Sequence, residues 1–154
     1  MPNKRIIASY IMITLLLFGC NMNSETGLSE QGHHTQFTKI STDQSIDQHI
    51  SNQVKEKLAT NEDISHVKAV NSQKHIAIAF EVPHLKRFQL QKIKKQVKND
   101  IKKQFPNMKV EVSTDQKIVL ELERLEKKLQ TQSLSDKKLK KELKRIIELM
   151  KEQT

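Results

Sequence analysis

Residues 75–115 decide the fold, and their sequence is HIAIAFEVPHLKRFQLQKIKKQVKNDIKKQFPNMKVEVSTD. At the start of this stretch, alternation places four large apolar residues on one face of a β-strand: Ile76, Ile78, Phe80 and Val82. Pro83 ends the strand, because proline has no backbone N–H to donate to a ladder. Residues 108–112 alternate in the same way. The stretch therefore predicts two strands with about 25 residues between them.

The residues between these strands have the pattern of an amphipathic helix that ends near Phe105. Its apolar side consists of Leu90, Ile93, Val97 and Ile101. Its opposite side carries five lysines, namely Lys92, Lys95, Lys98, Lys102 and Lys103. Residues 86–109 hold nine basic residues and one acidic residue. Two interpretations stay open: a face that attracts anionic lipid or wall polymer, or a solvated face that keeps the domain soluble.

On the amino-terminal side, a helix and a strand precede this stretch. The helix is predicted from Ile46 to Ala59, with apolar residues four apart and a capping box formed by Ser45 and Gln48. Residues 64–70 are rich in β-branched side chains, which favours a strand. This strand and residues 75–82 are expected to form an antiparallel hairpin.

Two helices are predicted after the last strand. Residues 113–115 supply cap chemistry for the first, whose apolar stripe is Ile118, Leu122, Leu125 and Leu129. The second runs over residues 134–151, opens with Ser133 and Asp136, and has the stripe Leu139, Leu143, Ile146 and Met150. Periodicity leaves open whether these two helices pack on the domain or project from it.

The order of elements predicts a small two-layer α+β domain, α-β-β-α-β followed by two C-terminal helices. In this arrangement one face of the sheet would be polar and wet, bearing His75, Glu81, Lys109 and Glu111.

The first twenty residues have the layout of a secretory signal. Lys4 and Arg5 precede an uncharged apolar run over residues 6–18, which would rise only ~20 Å as a helix, short of the ~30 Å hydrocarbon core of a membrane. The run ends in LFGC at 17–20, which resembles the lipobox of bacterial lipoproteins. We expect Cys20 to carry a diacylglyceryl-type anchor after cleavage on its amino side; the alternative is an ordinary thiol after an uncleaved segment.

These features divide the chain into four parts. Residues 1–19 are a lipoprotein signal peptide, residues 20–44 a flexible polar tether, residues 45–130 the α+β domain and residues 131–154 a C-terminal amphipathic helix. The mature protein is expected at the extracytoplasmic face of the cell membrane.

Composition excludes several classes of function. The single cysteine excludes an internal disulfide and paired-cysteine zinc motifs, and the six histidines lack the spacing of metal ligands on one helix face. No glycine-rich phosphate loop or nucleophile elbow is present in the sequence, so we expect no enzyme activity, cofactor or metal. Basic residues outnumber acidic ones by 27 to 18, but aromatic residues make up only 4%, which argues against nucleic acid as a partner.

The chain resembles the YhcN/YlaJ-type sporulation lipoproteins of endospore-forming bacteria. The resemblance covers residues 46–129, with the signal in addition, and it depends on the order of the features. Cys20 and a polar tether come first, then the α-β-β-α-β core with KIKKQVK at 92–98, and VEVSTD at 110–115 entering a helix. It implies a membrane-anchored spore component that acts in germination or outgrowth and has no catalytic residues to assign. The alternative is a general envelope lipoprotein whose basic helix face binds anionic lipid or wall polymer.

Overall fold

The computed structural model describes residues 35–40, 46–131 and 134–152. Along this part of the chain the elements are α1 His49–Ala59, β1 His66–Asn71, β2 His75–Glu81, a 3₁₀ turn His84–Gln89, α2 Leu90–Gln104, β3 Lys109–Ser113, α3 Gln116–Thr131 and α4 Asp136–Glu152. The mixed α+β class, the order of elements and the two C-terminal helices predicted from the sequence are confirmed.

The sheet has three strands in the order β1-β2-β3. β1 and β2 are antiparallel, with His66 opposite Glu81 and Asn71 opposite Ile76, which confirms the predicted hairpin. β3 lies parallel to β2 and begins with Lys109 opposite His75. A parallel pair needs a long crossover connection, and the 3₁₀ turn and α2 provide it.

The first helix begins three residues later than predicted, at His49. Ser45, the predicted cap, lies outside the described residues. Asp47 Oδ1 instead accepts the His49 N–H at 2.8 Å, and Asn71 Oδ1, from the end of β1, accepts the Ser51 N–H at 2.9 Å. One free N–H of the helix start is therefore satisfied by a residue 20 positions away, which no local motif could indicate.

Helices α1 and α2 cover one face of the sheet. Their apolar stripes pack against the face that the alternation predicted, in a core made of Val54, Leu58, Ile64, Val67, Ala69, Ile76, Ile78, Phe80, Ile93, Val97, Ile101, Val110 and Val112. Phe80 is completely buried at the centre of this core. The side of α2 opposite its stripe is therefore left facing outward.

Helices α3 and α4 cover the other face of the sheet. Ala77 and Ala79 are completely buried there against the stripes of both helices. The prediction of a wet polar face was wrong: the small β2 side chains leave room for helices to approach closely, and only the sheet margin remains open. The helices thus lie on both sides of the sheet, and the domain has three layers, helices, sheet and helices. The predicted two-layer arrangement was wrong, because the apolar stripes of α3 and α4 also pack on the sheet.

The last helix packs on the domain, which answers the question that periodicity left open. Leu139 and Leu143 are almost fully buried. An ion pair also joins the two helices, because Arg145 of α4 contacts the carboxylate of Glu121 on α3. The Arg145 guanidinium lowers the pKa of Glu121, since it stabilises the ionised carboxylate.

Residues 35–40, which the sequence analysis assigns to the tether, lie along the outer edge of β1. The Gln36 N–H donates to the Ser65 carbonyl at 3.0 Å, and the Val67 N–H donates to the Gln36 carbonyl at 3.2 Å. The amide side chain of Asn52 exchanges hydrogen bonds of 3.0 and 2.9 Å with the backbone of Ile40. For these six residues the structure replaces a free tether with a docked segment, which covers a strand edge that would otherwise be unpaired.

Candidate functional site

The lysines predicted on the basic helix lie on the outward side of α2. Lys92, Lys95, Lys102 and Lys103 are exposed, and none of them forms an ion pair with any residue that the structure describes. Lys98 differs, because its Nζ donates to Glu111 Oε2 of β3 at 3.0 Å and is partly covered. Four of the five predicted lysines therefore contribute an uncompensated positive charge, and the fifth ties α2 to the sheet.

Two large apolar side chains are exposed directly before this helix. In the 3₁₀ turn, Leu85 is 86% exposed and Phe88 is 82% exposed. Residues three apart in a 3₁₀ helix lie on the same side, so the two side chains form one apolar projection. Arg87, between them, is exposed as well. We call Leu85 and Phe88 the apolar tip, and Arg87, Lys92, Lys95, Lys102 and Lys103 the basic surface.

The apolar tip lies at the end of the sheet from which the chain leads toward Cys20. Lys86, within the turn, pairs with Asp63 at 2.7 Å. The neighbouring Ile64 carbonyl accepts the hydroxyl of Thr35 at 2.6 Å. Thr35 is the first described residue, so this end of the domain connects to the segment that carries the predicted anchor.

A groove that the sequence did not predict lies on the other face of the sheet, between β3 and α4. Its volume is about 560 Å³, and its walls are formed by the hairpin turn, the start of β3 and one side of α4. Leu143 and Ile147 line it, and the lysines around it are Lys74, Lys109, Lys140, Lys144 and Lys151. We call it the lysine groove.

The pKa of His75, which lines this groove, depends on the charges around it. Partial burial lowers the pKa of His75, and the positive charges of Lys109 and Lys151 lower it further, more than Glu111 raises it. The groove therefore presents a net positive field to the imidazole, which favours the neutral ring.

A buried ion pair joins the two helix layers around the edge of β1. Lys55 Nζ of α1 lies 3.0 Å from Glu126 Oε1 of α3, and these side chains are 0% and 4% exposed. The same carboxylate oxygen accepts the Ala69 N–H of β1 at 3.1 Å, and Lys55 also donates to the carbonyl of Thr38. Burial raises the pKa of Glu126 and lowers the pKa of Lys55, because both lose water as charged groups. This pair is enclosed, so we assign it a structural role.

The remaining candidate chemistry is limited. Among residues 35–40, 46–131 and 134–152, no group of three or more His, Cys, Asp or Glu side chains is placed to hold a metal ion. In the same part of the chain, no helix is both long and apolar enough to cross a membrane. Cys20 and the predicted signal peptide lie outside the described residues.

The fold and its surfaces define a class of protein: a small α+β domain with a strongly basic exterior, preceded in the sequence by a lipobox-like cysteine. The family model of the sporulation lipoprotein YhcN/YlaJ family matches residues 19–151. The protein belongs to this family, which confirms the resemblance found in the sequence and implies association with a membrane. Comparisons with curated proteins and with solved structures gave no match.

Proposed function

We propose that the protein is a non-enzymatic sporulation lipoprotein, anchored through a diacylglyceryl-type modification of Cys20 to the extracytoplasmic face of the cell or spore membrane. There the basic surface and the apolar tip hold its domain against anionic lipid, and the protein acts in spore germination or outgrowth. The observation that carries the lipid contact is the position of two exposed apolar side chains beside unpaired cations, at the domain end that leads to Cys20.

The chain between anchor and domain allows such contact. Fifteen positions separate Cys20 from Thr35. Fully extended, such a segment spans at most about 50 Å, so an anchored domain stays near the lipid surface. The attraction therefore acts at a high effective concentration, and even a weak surface contact would be populated.

The expected energies are sufficient for docking. A basic residue near an anionic leaflet contributes about 1 kcal/mol, and burial of a large apolar side chain contributes about 1.5–3 kcal/mol. Lys92 and Lys95 with Phe88 alone would then contribute several kcal/mol before the entropy of docking is subtracted. Firm anchoring itself comes from the two acyl chains, since a single chain binds only marginally.

A wall polymer is the alternative partner of the basic surface. Its anionic groups would satisfy the lysines equally well, but a hydrated polymer offers no apolar phase to Leu85 and Phe88. Exposure of both side chains above 80% therefore favours a lipid interface.

The lipid contact can be tested by fluorescence, because the chain contains no tryptophan. In the acylated full chain, Phe88→Trp should give a blue-shifted emission that is shielded from an aqueous quencher in vesicles containing phosphatidylglycerol, but not in vesicles of phosphatidylcholine alone. Changing Lys92, Lys95 and Lys102 together to Gln should remove roughly 3 kcal/mol of attraction, more than a hundredfold in the ratio of docked to free domain. High salt should act in the same direction, since the Debye length falls from about 30 Å at 0.01 M to about 8 Å at 0.15 M.

The matched control has the same net charge. Lys127, Lys128 and Lys138 are exposed on α3 and α4 and lie outside the basic surface. Their joint change to Gln should leave the emission of the Phe88→Trp chain unchanged. Equal losses of the blue-shifted emission in the two triple variants would mean that vesicle binding depends on net charge alone and not on the basic surface. An unshifted emission on anionic vesicles, with lysine-dependent binding to purified wall polymer, would support the alternative partner.

Acylation is expected at Cys20. Mass spectrometry of the membrane-extracted protein should show loss of residues 1–19 and added acyl mass on Cys20, and Cys20→Ala should lack both changes because the thiol is the only site for the modification. Recovery of the unchanged chain from the aqueous fraction would contradict the predicted anchor. It would not contradict the proposed contact of the basic surface and the apolar tip with lipid.

A further inference from the structure

We propose that the lysine groove binds a soluble anionic ligand that carries at least two phosphate or carboxylate groups. This inference goes beyond the lipid contact, because the groove and the basic surface lie on opposite sides of the sheet. A domain held to the membrane by α2 would leave the groove accessible from the aqueous side.

The shape of the groove suits a ligand of small-molecule size. Its volume of about 560 Å³ lies within the range of about 300–1,000 Å³ that is typical of ligand sites. Three separate elements supply its cations: Lys74 follows β1 in the hairpin turn, Lys109 begins β3, and Lys151 lies in the last turn of α4. A cleft whose walls come from elements far apart in the sequence is held in shape by the whole domain.

The charges of the groove are only partly compensated. The carboxylate of Glu111 is already engaged by Lys98, and Glu148 is 3.8 Å from Lys144. Lys140 pairs with Asp136 at 2.6 Å. The other three lysines, Lys74, Lys109 and Lys151, form no ion pair within the part of the chain that the structure describes.

Gathering like charges around a cleft opposes folding unless a ligand or solvent compensates them. Lys109 and Lys151 line opposite walls of the groove, one on the sheet and one on the helix, and the positive charge of each lowers the pKa of His75 between them. A single anionic group can compensate the positive charge of only one wall. A ligand with two or more such groups can engage both walls at once, while its body lies along the lysine methylenes and Leu143.

The experiment uses pyrophosphate and citrate as probes, and His75 as the reporter. The full chain in nonionic detergent micelles would be titrated by NMR, with the His75 signal assigned from its loss in His75→Gln. Each probe should shift the signal saturably and raise the pKa of His75, since a bound anion opposes the field of Lys109 and Lys151. Acetate, with one anionic group, should bind at least about tenfold more weakly.

Two double variants distinguish binding in the groove from attraction to the net positive charge of the protein. Lys109→Gln with Lys151→Gln should weaken pyrophosphate binding by about tenfold or more, whereas Lys127→Gln with Lys128→Gln should leave it unchanged at the same net charge. Equal weakening in both pairs, or no saturable response of His75, would overturn the proposal. So would a response to phosphatidylglycerol in the micelles without one to pyrophosphate. The readout does not involve Phe88, so failure here leaves the lipid contact untouched.

Discussion

Replacement of Glu126 by alanine is expected to reduce the free energy of unfolding by about 3–5 kcal/mol, because it leaves Lys55 buried without a counter-charge. The side chain of Lys55 is 0% exposed, so its ammonium cannot regain water in the folded state. The variant also leaves the N–H of Ala69 without its side-chain acceptor. A small domain has a total stability of about 5–15 kcal/mol, so equilibrium urea unfolding should show a large shift of the midpoint.

Two further variants make this result specific. Glu123→Ala removes a neighbouring carboxylate that pairs with Lys68 but is 54% exposed, and it should change stability by less than about 1 kcal/mol. Lys55→Met combined with Glu126→Leu removes both charges and should recover much of the loss. Equal losses of unfolding free energy for Glu123→Ala and Glu126→Ala would mean that the buried pair stabilises the fold no more than an exposed one.

The pair also explains how the docked segment is held. Lys55 donates to the carbonyl of Thr38, so one ammonium connects α1, α3 and residues 35–40. Loss of the pair should therefore loosen the segment nearest the anchor along with the domain edge. The observed geometry makes residues 35–40 part of the fold and shortens the free chain available to the tether.

The sequence predicted most of the elements because their apolar residues recur at regular spacings. The stripe of α2 and the alternation in β2 gave the correct buried faces, and Asp115 caps α3 as expected, accepting the Lys117 N–H at 2.7 Å. The second buried face of the sheet was missed. The alternation in β2 predicts a single buried face, which places Ala77 and Ala79 on the side expected to be wet, although a continuous apolar run is equally typical of a strand covered on both faces.

The candidate site was predicted in part. The lysines of α2 were identified from their spacing, but the engagement of Lys98 depends on a contact with Glu111 that spacing does not specify. The exposure of Leu85 and Phe88 had a signal in the sequence, since these two large apolar residues flank Lys86 and Arg87 shortly after Pro83. The lysine groove had none, because its walls come from elements that meet only in the folded domain.

The two faces of the sheet support a division of roles. On one side, α2 presents cations and an apolar tip near the chain that leads to Cys20. On the other, α4 and β3 enclose the lysine groove. An anchored domain oriented by the first surface would hold the second toward the aqueous compartment, where a soluble anion can reach it. The two proposals are compatible. The variants expected to lose lipid docking and those expected to lose anion binding share no residues, and only their controls both use Lys127 and Lys128.

Ile93→Asp is expected to unfold the protein, whereas Lys95→Asp should leave it folded. Ile93 is 4% exposed, in the core between α2 and the sheet, and Lys95 lies two residues further on the exposed side of the same helix. An aspartate forced into this core has no cationic partner among the buried side chains around it, so it must be desolvated or protonated. The loss should be several kcal/mol, comparable to the whole stability of a small domain.

Circular dichroism during urea titration would measure both variants, with Lys95→Gln as the control for loss of the positive charge. The free energy of unfolding of Lys95→Asp should lie within about 1 kcal/mol of that of the parent chain. The same variant should nevertheless dock less well than Lys95→Gln on phosphatidylglycerol vesicles, because it replaces attraction by repulsion. Similar stability losses for Ile93→Asp and Lys95→Asp would mean that α2 does not bury the face observed here. A folded Lys95→Asp chain that docks like the parent would leave the helix register intact and show that the basic surface does not contact the lipid.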